Sequence, residues 1–514
     1  MLLKIRTSFH LLKKTDHKNV NHRATLVNFM INMVLLTYKF VLLQQFFSKN
    51  IHQFRIMTEK IQTLMRDNAV ARWTALVLLA STMFFAYMFV DVLSPLQSML
   101  QEQLKWTPDI YGTFASSEYF LNVFAFFLIF AGIILDKMGV RFTAILSGFV
   151  MVTGASIKFY AVSEAFAGSG IETLLNSFWT SFPASAKLAS LGFMIFGCGV
   201  EMAGVTVSKG IVKWFQGKEL ALAMGIEMAI ARLGVFAIFR ISPRVADATG
   251  HISSPVLFCL VLLLIGLISC TVYFFMDKKL EKQMGESGEE PEEPFKLSDI
   301  GKLFTSKTFL IVAGLCVLYY SAIFPFQKFA ANMLENRLAI SNKEASDIFS
   351  WFPIGAMLLT PLLGAFLDNK GKGATMLIIG SVLMCSCHLV FALVPAEQFT
   401  PFIAYSAILV LGISFSLVPA ALWPSVPKLV ENRYLGSAYS VIFWIQNIGL
   451  MAFPMLIGWS LQMTNKGVLD PKGYNYTVPM LIFAALGVLA FVLAIWLKAE
   501  DKKKGYGVEL PNKK

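Results

Sequence analysis

Apolar residues in this chain gather into long uninterrupted blocks. They show neither the 3.6-residue stripe of a half-buried helix nor the alternation of a strand. The blocks run approximately 73–97, 112–135, 142–163, 187–208, 220–241, 254–276, 307–327, 347–367, 374–394, 401–423, 436–460 and 478–498. About 18 apolar residues suffice to cross a hydrocarbon core of about 30 Å as a helix. Inside hydrocarbon the backbone must satisfy its own hydrogen bonds, which a helix does within one segment. The pattern therefore predicts an all-α membrane protein of twelve spans.

One long polar stretch interrupts the pattern, after the sixth block. It carries Glu286, Glu289, Glu290, Glu292 and Glu293 with Pro291 and Pro294, and it reads as a solvated tether. The expected organisation is an N-terminal extension and lead (1–71), a six-helix half (72–276), a linker (277–306), a second six-helix half (307–498) and a tail (499–514). Residues 26–47 form a weaker apolar stretch broken by Lys39, and residues 1–56 are expected to be dispensable to the core.

Composition agrees. Of 514 residues 56% are hydrophobic and 15% charged, against about 25% charged in soluble domains. The net charge of +12 does not imply nucleic acid, because the basic residues sit in short loops. Lys137 and Arg141, Lys209 with Lys213 and Lys218, Lys370 with Lys372, Lys428 with Arg433, and Lys502, Lys503 and Lys504 all fall on one side. By the positive-inside rule that side is cytoplasmic and holds both ends of the core. Lys328, Arg337 and Lys343 blur the contrast from the other side. The six cysteines lie in apolar blocks and read as packing residues; Cys385, Cys387 and His388 fit no zinc spacing, so no metal or other cofactor is expected. No nucleophile or phosphate-loop constellation appears, which argues against an enzyme.

The halves repeat weakly. Gly132-Ile-Ile-Leu-Asp136-Lys-Met-Gly139 ends the second span and Gly364-Ala-Phe-Leu-Asp368-Asn-Lys-Gly371 ends the eighth. Both read G-x-x-L-D-x-x-G at the same mouth. Parallel repeats about an axis along the membrane normal, a pseudo-twofold, characterise a known transporter architecture. These two loops, with Arg141, are candidate conformational latches.

Ionisable groups within spans cost about 2.5–3.5 kcal/mol each and are functional candidates. Asp91, Glu118, Glu201, Glu227 and Arg232 qualify; Lys158 and Arg240 lie near outer ends, where long side chains snorkel. Glu201 precedes Lys209 by about 12 Å of helix rise and Arg232 follows Leu220 by about 18 Å, so opposite charges share a similar depth. Two readings remain: a static buried salt bridge, or a zwitterion site with Glu201 meeting an amine and Arg232 a carboxylate. Tyr319, Tyr320, Trp423, Trp444, Gln446 and Asn447 add polar and aromatic groups at membrane depth.

Gly199-Val-Glu201, Lys213-Trp-Phe-Gln-Gly-Lys-Glu-Leu220 and Ala231-Arg232-Leu-Gly234 together resemble the lysosomal dipeptide transporter family of the major facilitator superfamily and its bacterial relatives. Cys316-Val-Leu-Tyr319-Tyr320 through Phe326, Ala420-Ala-Leu-Trp423-Pro-Ser-Val426 and Gln446-Asn447-Ile-Gly-Leu450 are similar to that family's seventh, tenth and eleventh spans. Asp91 with Pro95-Leu-Gln97 is a looser match, with no tyrosine directly before Asp91 and a shifted proline. The resemblance implies a twelve-span major facilitator fold and a peptide site that includes Glu201 and Arg232, with Asp91, Tyr319, Tyr320, Trp423, Gln446 and Asn447 as further contacts. It implies dipeptide transport by alternating access, as uniport or coupled to protons. A proton-coupled carrier of organic anions or drugs and a non-transporting receptor are the rival readings. The expected setting is a bacterial inner membrane or a eukaryotic lysosomal one, with the bilayer and a small-molecule substrate as partners; the sequence names no accessory subunit.

Overall fold

A computed structural model describes residues 64–284, 301, 303–430, 435–468 and 470–511. The apolar stretch at 26–47, the acidic run of the linker and Arg433 lie outside the described residues. Arg244–His251 is a unit of its own, in which Thr249 Oγ1 donates to Val245 O at 2.9 Å. The rest is one helical body.

Eleven helices among the described residues are long and apolar enough to cross a membrane. The predicted second span is the one missing from that set, because it is broken. It runs as Pro108–Ser117, turns at Glu118 and Tyr119, resumes as Phe120–Phe124, and breaks again before Phe127. From Phe127 the helix continues to Ala161, but Gly139 within it is non-helical (φ 77, ψ 167). Span 2 therefore ends at Gly139 and span 3 follows, which restores twelve. The remaining spans are Ala69–Val90, extended through a bend by Gln97–Leu104, then Ala184–Phe215, Leu220–Thr249, Ser253–Met284, Lys307–Leu338, Asn342–Lys370, Gly373–Leu393, Pro401–Leu429, Leu435–Thr464 and Thr477–Lys504. Span 6 extends beyond the expected boundary at 276, since Asp277 is anchored in the fold.

The outer helices bury one face and leave the other apolar and exposed, whereas span 7 is buried all round from Pro325 to Glu335. On span 12, Val488, Leu489, Val492, Ile495 and Trp496 line one exposed stripe. Such a stripe would drive aggregation in water and belongs against lipid. Helices approach through small residues, as membrane packing favours. Gly154 and Gly192 face each other so closely that a Cβ on either meets backbone of the other helix, and Gly112 meets Gly458 between spans 2 and 11.

The halves meet along two seams. Span 2 packs on span 11. Span 5 packs on span 8, where Phe239 lies 4.7 Å from Phe349 and Phe236 6.2 Å from Trp351. Spans 2 and 8 correspond under the repeat, as do 11 and 5, so the seams are related by the expected pseudo-twofold.

The last glycine of each repeated loop turns the chain in the same way: Gly139 has φ +77 and Gly371 φ +70. A Cβ on Gly371 would also strike the tail, which folds back so that Lys372 N donates to Glu509 O at 2.9 Å. Gly139→Ala and Gly371→Ala should each cost about 1–3 kcal/mol, since these backbone conformations are essentially glycine's alone. Melting of the purified variants beside Gly132→Ala, whose Cβ meets nothing within 4 Å, measures this; equal melting for all three refutes it.

Candidate functional site

The loops after spans 2, 4, 8 and 10 form a basic face. Ion pairs described there join spans of one half. In the first half, Asp136 accepts from Lys209 at 2.7 Å, and Arg141 pairs with Glu281. The Lys213-Trp-Phe-Gln-Gly-Lys-Glu stretch is a clasp. Buried Asp277 accepts from Lys213 at 2.8 Å and from Trp214 Nε1 at 3.2 Å; Gly217 turns the chain at φ +75. Lys218 then meets Asp67 at 2.8 Å and Glu219 meets Arg72 at 2.9 Å. The Lys218 bond holds the Asp67 carboxyl below its usual range. In the second half Gly364 is unobstructed within span 8, and Asp368 lies in the field of Lys428. Lys209 lies toward the end of span 4 and Lys428 in the last turn of span 10, so the aspartate of each repeat has a lysine of its own half in its field.

Ties between the halves gather at the opposite face. Lys328 of span 7 pairs with Asp91 of span 1 at 3.1 Å and lies 3.5 Å from Glu118 of span 2. Its carbonyl accepts from Gln97 Nε2 at 2.5 Å and Tyr111 Oη at 3.2 Å. Ser98 donates to Glu335 at 2.7 Å, and Tyr474 to Gln101 at 2.7 Å. Arg240 Nε is 3.8 Å from Asp347. The halves are sealed here.

Two sequence expectations are corrected. Lys328 is no loop residue: it is 4% exposed, ten residues inside the end of span 7 at Leu338. Lys158 does not snorkel: it is 0% exposed. Snorkelling needs a path to the interface, and Lys158 is enclosed by Phe89, Phe114 and Phe193.

Between the two faces, a polar group converges. Span 4 supplies half-buried Glu201 and span 5 supplies Glu227 and Arg232. No ion pair joins Glu201 to Arg232 among the described residues, so the static salt bridge is not what the fold builds. Arg232 instead lies across the seam, its guanidinium carbon 4.8 Å from the Phe415 ring and 5.7 Å from Phe324. Cation–π contact accommodates the charge while leaving the in-plane N–H donors unspent. Buried Asn447 of span 11 is the polar side chain that faces Glu201 from the other half. The wall continues with Tyr320, 5.6 Å from Phe324 and 6.0 Å from Phe415. Trp423 Nε1 donates to the Tyr320 hydroxyl at 3.1 Å. Trp444 Nε1 donates to Val123 O at 3.0 Å, and its ring stacks on Phe126 at 5.4 Å.

Three expected contacts fall elsewhere. Asp91 is fully buried in the sealed seam, where it also accepts from Ser94 at 2.9 Å. Tyr319 donates to Leu377 O, between spans 7 and 9. Gln446 accepts from Cys316 Sγ at 3.3 Å, between spans 7 and 11. Phe415 is the residue that sequence reasoning passed over; one phenylalanine among 46 carries no signal of its own. His388 packs against Phe326 at 5.0 Å and Phe483 at 5.2 Å, away from this group.

The family model for the Major Facilitator Superfamily matches residues 79–334 and 327–512. The chain belongs to the major facilitator superfamily. It is 31% identical to the lysosomal dipeptide transporter MFSD1 of Gallus gallus, over 63% of this chain and 70% of that one. The proteins of the same name from Danio rerio and Homo sapiens are 28% and 26% identical over 86% and 82% of this chain, and 90% and 85% of theirs. Among solved structures, the fold matches a bacterial homologue of the human lysosomal transporter Spinster, in an inward-facing and unoccupied conformation, with a TM-score of 0.65. That match is 13% identical and covers 84% of this chain and 98% of the other. The nucleoside transporter NupG matches with a TM-score of 0.61 at 16% identity, over 83% and 99%. The chain is thus a multi-pass membrane transporter.

Proposed function

We propose that this transporter carries small zwitterionic solutes, dipeptides foremost, by alternating access about the Glu201–Arg232 group. The observation that carries the reading is that two opposite charges share the centre of one half without pairing. A charge left unpaired at membrane depth is costly, and a zwitterion supplies both missing partners at once. Arg232, with its donors unspent, suits a carboxylate gripped by two parallel bonds. Glu201, with Asn447 beside it, suits an α-ammonium. Tyr320, Phe324, Phe415 and Trp423 offer an apolar wall for side chains of varied shape. A carboxylate beside the guanidinium disfavours simple organic anions, and the names borne by the relatives point the same way. The reading covers uniport and proton-coupled forms.

Arg232→Ala should lower dipeptide uptake in proteoliposomes by about two orders of magnitude, the worth of two charge-assisted hydrogen bonds. Arg232→Lys should recover little, because a point charge lacks the planar fork. Glu201→Gln should weaken uptake of free dipeptides and spare N-acetylated ones. Neither change should lower the melting temperature by more than a few degrees, since neither residue has an ion-pair partner to strand. Wild-type uptake in Arg232→Ala would remove the residue from the site.

We read the basic face as cytoplasmic, with both core termini there, and the sealed seam as lumenal or external; the arrangement is then inward-facing. A reporter fused after Lys514 should be active in the cytoplasm, and activity on the other side overturns the assignment. The loops at Gly132–Gly139 and Gly364–Gly371 act as latches on this face, with Asp136 and Asp368 bracing spans 4 and 10 through their lysines. The Asp136–Lys209 pair is exposed and contributes about 0–1 kcal/mol to stability. Asp136→Asn should therefore shift the ratio of inward to outward cysteine labelling by several-fold while leaving dipeptide affinity unchanged. Unchanged labelling with lost binding would make Asp136 a substrate contact.

A further inference from the structure

Besides Glu335 and the Arg240–Asp347 pair, the sealed seam holds four buried ionisable groups: Asp91, Glu118, Lys328 and Lys158, exposed by 0%, 5%, 4% and 0%. Two are carboxyls and two are amines, so the four balance in formal charge. Three belong to the first half, on spans 1, 2 and 3; Lys328 alone comes from the second. Lys328 is well served, by Asp91 at 3.1 Å, Val90 O at 3.1 Å and Glu118 at 3.5 Å. Lys158 is not. Its Nζ has no hydrogen-bond partner and rests over the rings of Phe193, Phe89 and Phe114 at 4.1, 4.5 and 5.1 Å. Lys328 Nζ lies over the same Phe193 ring at 5.6 Å. One phenylalanine thus has both ammonium groups at its faces or rim, and Glu118 and Asp91 lie within the electrostatic reach of each.

The neighbourhood of Glu118 is built for a change of partner. Span 2 is unwound there, the helix ending at Ser117 and resuming at Phe120. Gly197 of span 4 lets the Glu118 carbonyl approach where any Cβ would collide. Glu118 thus stands at a helix break, held by an ammonium that shares the Phe193 ring with the caged Lys158.

Opening the seam takes Lys328 away with the second half. Asp91 and Glu118 then remain in the first half, two carboxylates without the cation that held them. We propose that Lys158 is the reserve counter-ion for this moment: as the seam opens, its ammonium leaves the phenylalanine cage and takes over the Glu118 carboxylate that Lys328 releases. In the sealed state the cage keeps the cation in waiting; in the open state it prevents a stranded pair of negative charges. The handover concerns the gate and does not depend on the identity of the solute.

The test reads the seam directly. Spin labels on cysteines at Glu102 and Glu397, both exposed at this face in opposite halves, report its width by pulsed electron–electron double resonance in nanodiscs. Ser98→Ala with Gln101→Ala removes three cross-seam hydrogen bonds, from Ser98 to Glu335, from Asn332 to Ser98 and from Tyr474 to Gln101, and spares all four charges; this background should populate a longer distance. Adding Lys158→Met should reduce the long-distance population by about tenfold or more, as expected for a carboxylate stranded without its counter-ion. Its melting temperature should hold or rise, since an ammonium without hydrogen bonds has been removed from the interior. Adding Glu118→Gln to Lys158→Met should restore the long population. A background without a long component overturns the reading of this seam as a gate, and the handover with it. An unchanged long component in Lys158→Met, a fall in melting temperature with no change in distances, or failure of Glu118→Gln to restore it overturns the handover.

Discussion

The structure depends on one constraint: in hydrocarbon, every backbone polar group and every charge must find its partner within the protein. The backbone meets this by helix formation almost throughout. Where it does not, at Glu118 and Tyr119 of span 2, the interruption lies among polar side chains between the halves. The charged side chains divide in two. Some are matched in the resting arrangement, as Asp91 and Lys328 are. Others, Glu201 and Arg232 above all, are left with partners that only partly answer them. The first set ties the halves together at one face, and the second leaves charge at the centre without an ion-pair partner among the described residues.

This division follows from where the helices sit in the two halves. The pairs of the basic face, Asp136 with Lys209, Lys213 with Asp277 and Arg72 with Glu219, tie helices within the first half and make it a rigid unit. The pairs of the opposite face tie one half to the other. The halves are thus fastened to each other at one face, and at the centre Arg232 reaches over the rings of Phe324 and Phe415. Cation–π contact suits such a place, because a ring face accommodates a guanidinium without fixing its hydrogen-bond donors.

The repeat gives the same logic in duplicate. Gly139 and Gly371 each turn the chain at positive φ, and Asp136 and Asp368 each lie in the field of a lysine of the same half. The copies are not equal. The second is covered by the tail, with Glu509 bonded to Thr375 and Lys428 to the carbonyls of Gly507 and Leu510; among the described residues the first has no such cover.

Much was legible in the sequence because bilayer thickness converts directly into block length. The twelve spans and the glycine–aspartate repeat follow from one-dimensional pattern, as did the placing of Glu201 and Arg232 within spans 4 and 5. Depth along an axis is fixed by helix rise; the direction in which a side chain points about that axis is not. Only the tertiary structure decided that Glu201 and Arg232 stand apart, that Tyr319 and Gln446 turn into helix contacts, and that Asp91 belongs to the seam. Lys328 and Lys158 were misplaced for the same reason. A lysine near the end of an apolar block reads as snorkelling until neighbouring helices enclose it, and that enclosure is made by residues far away in the chain.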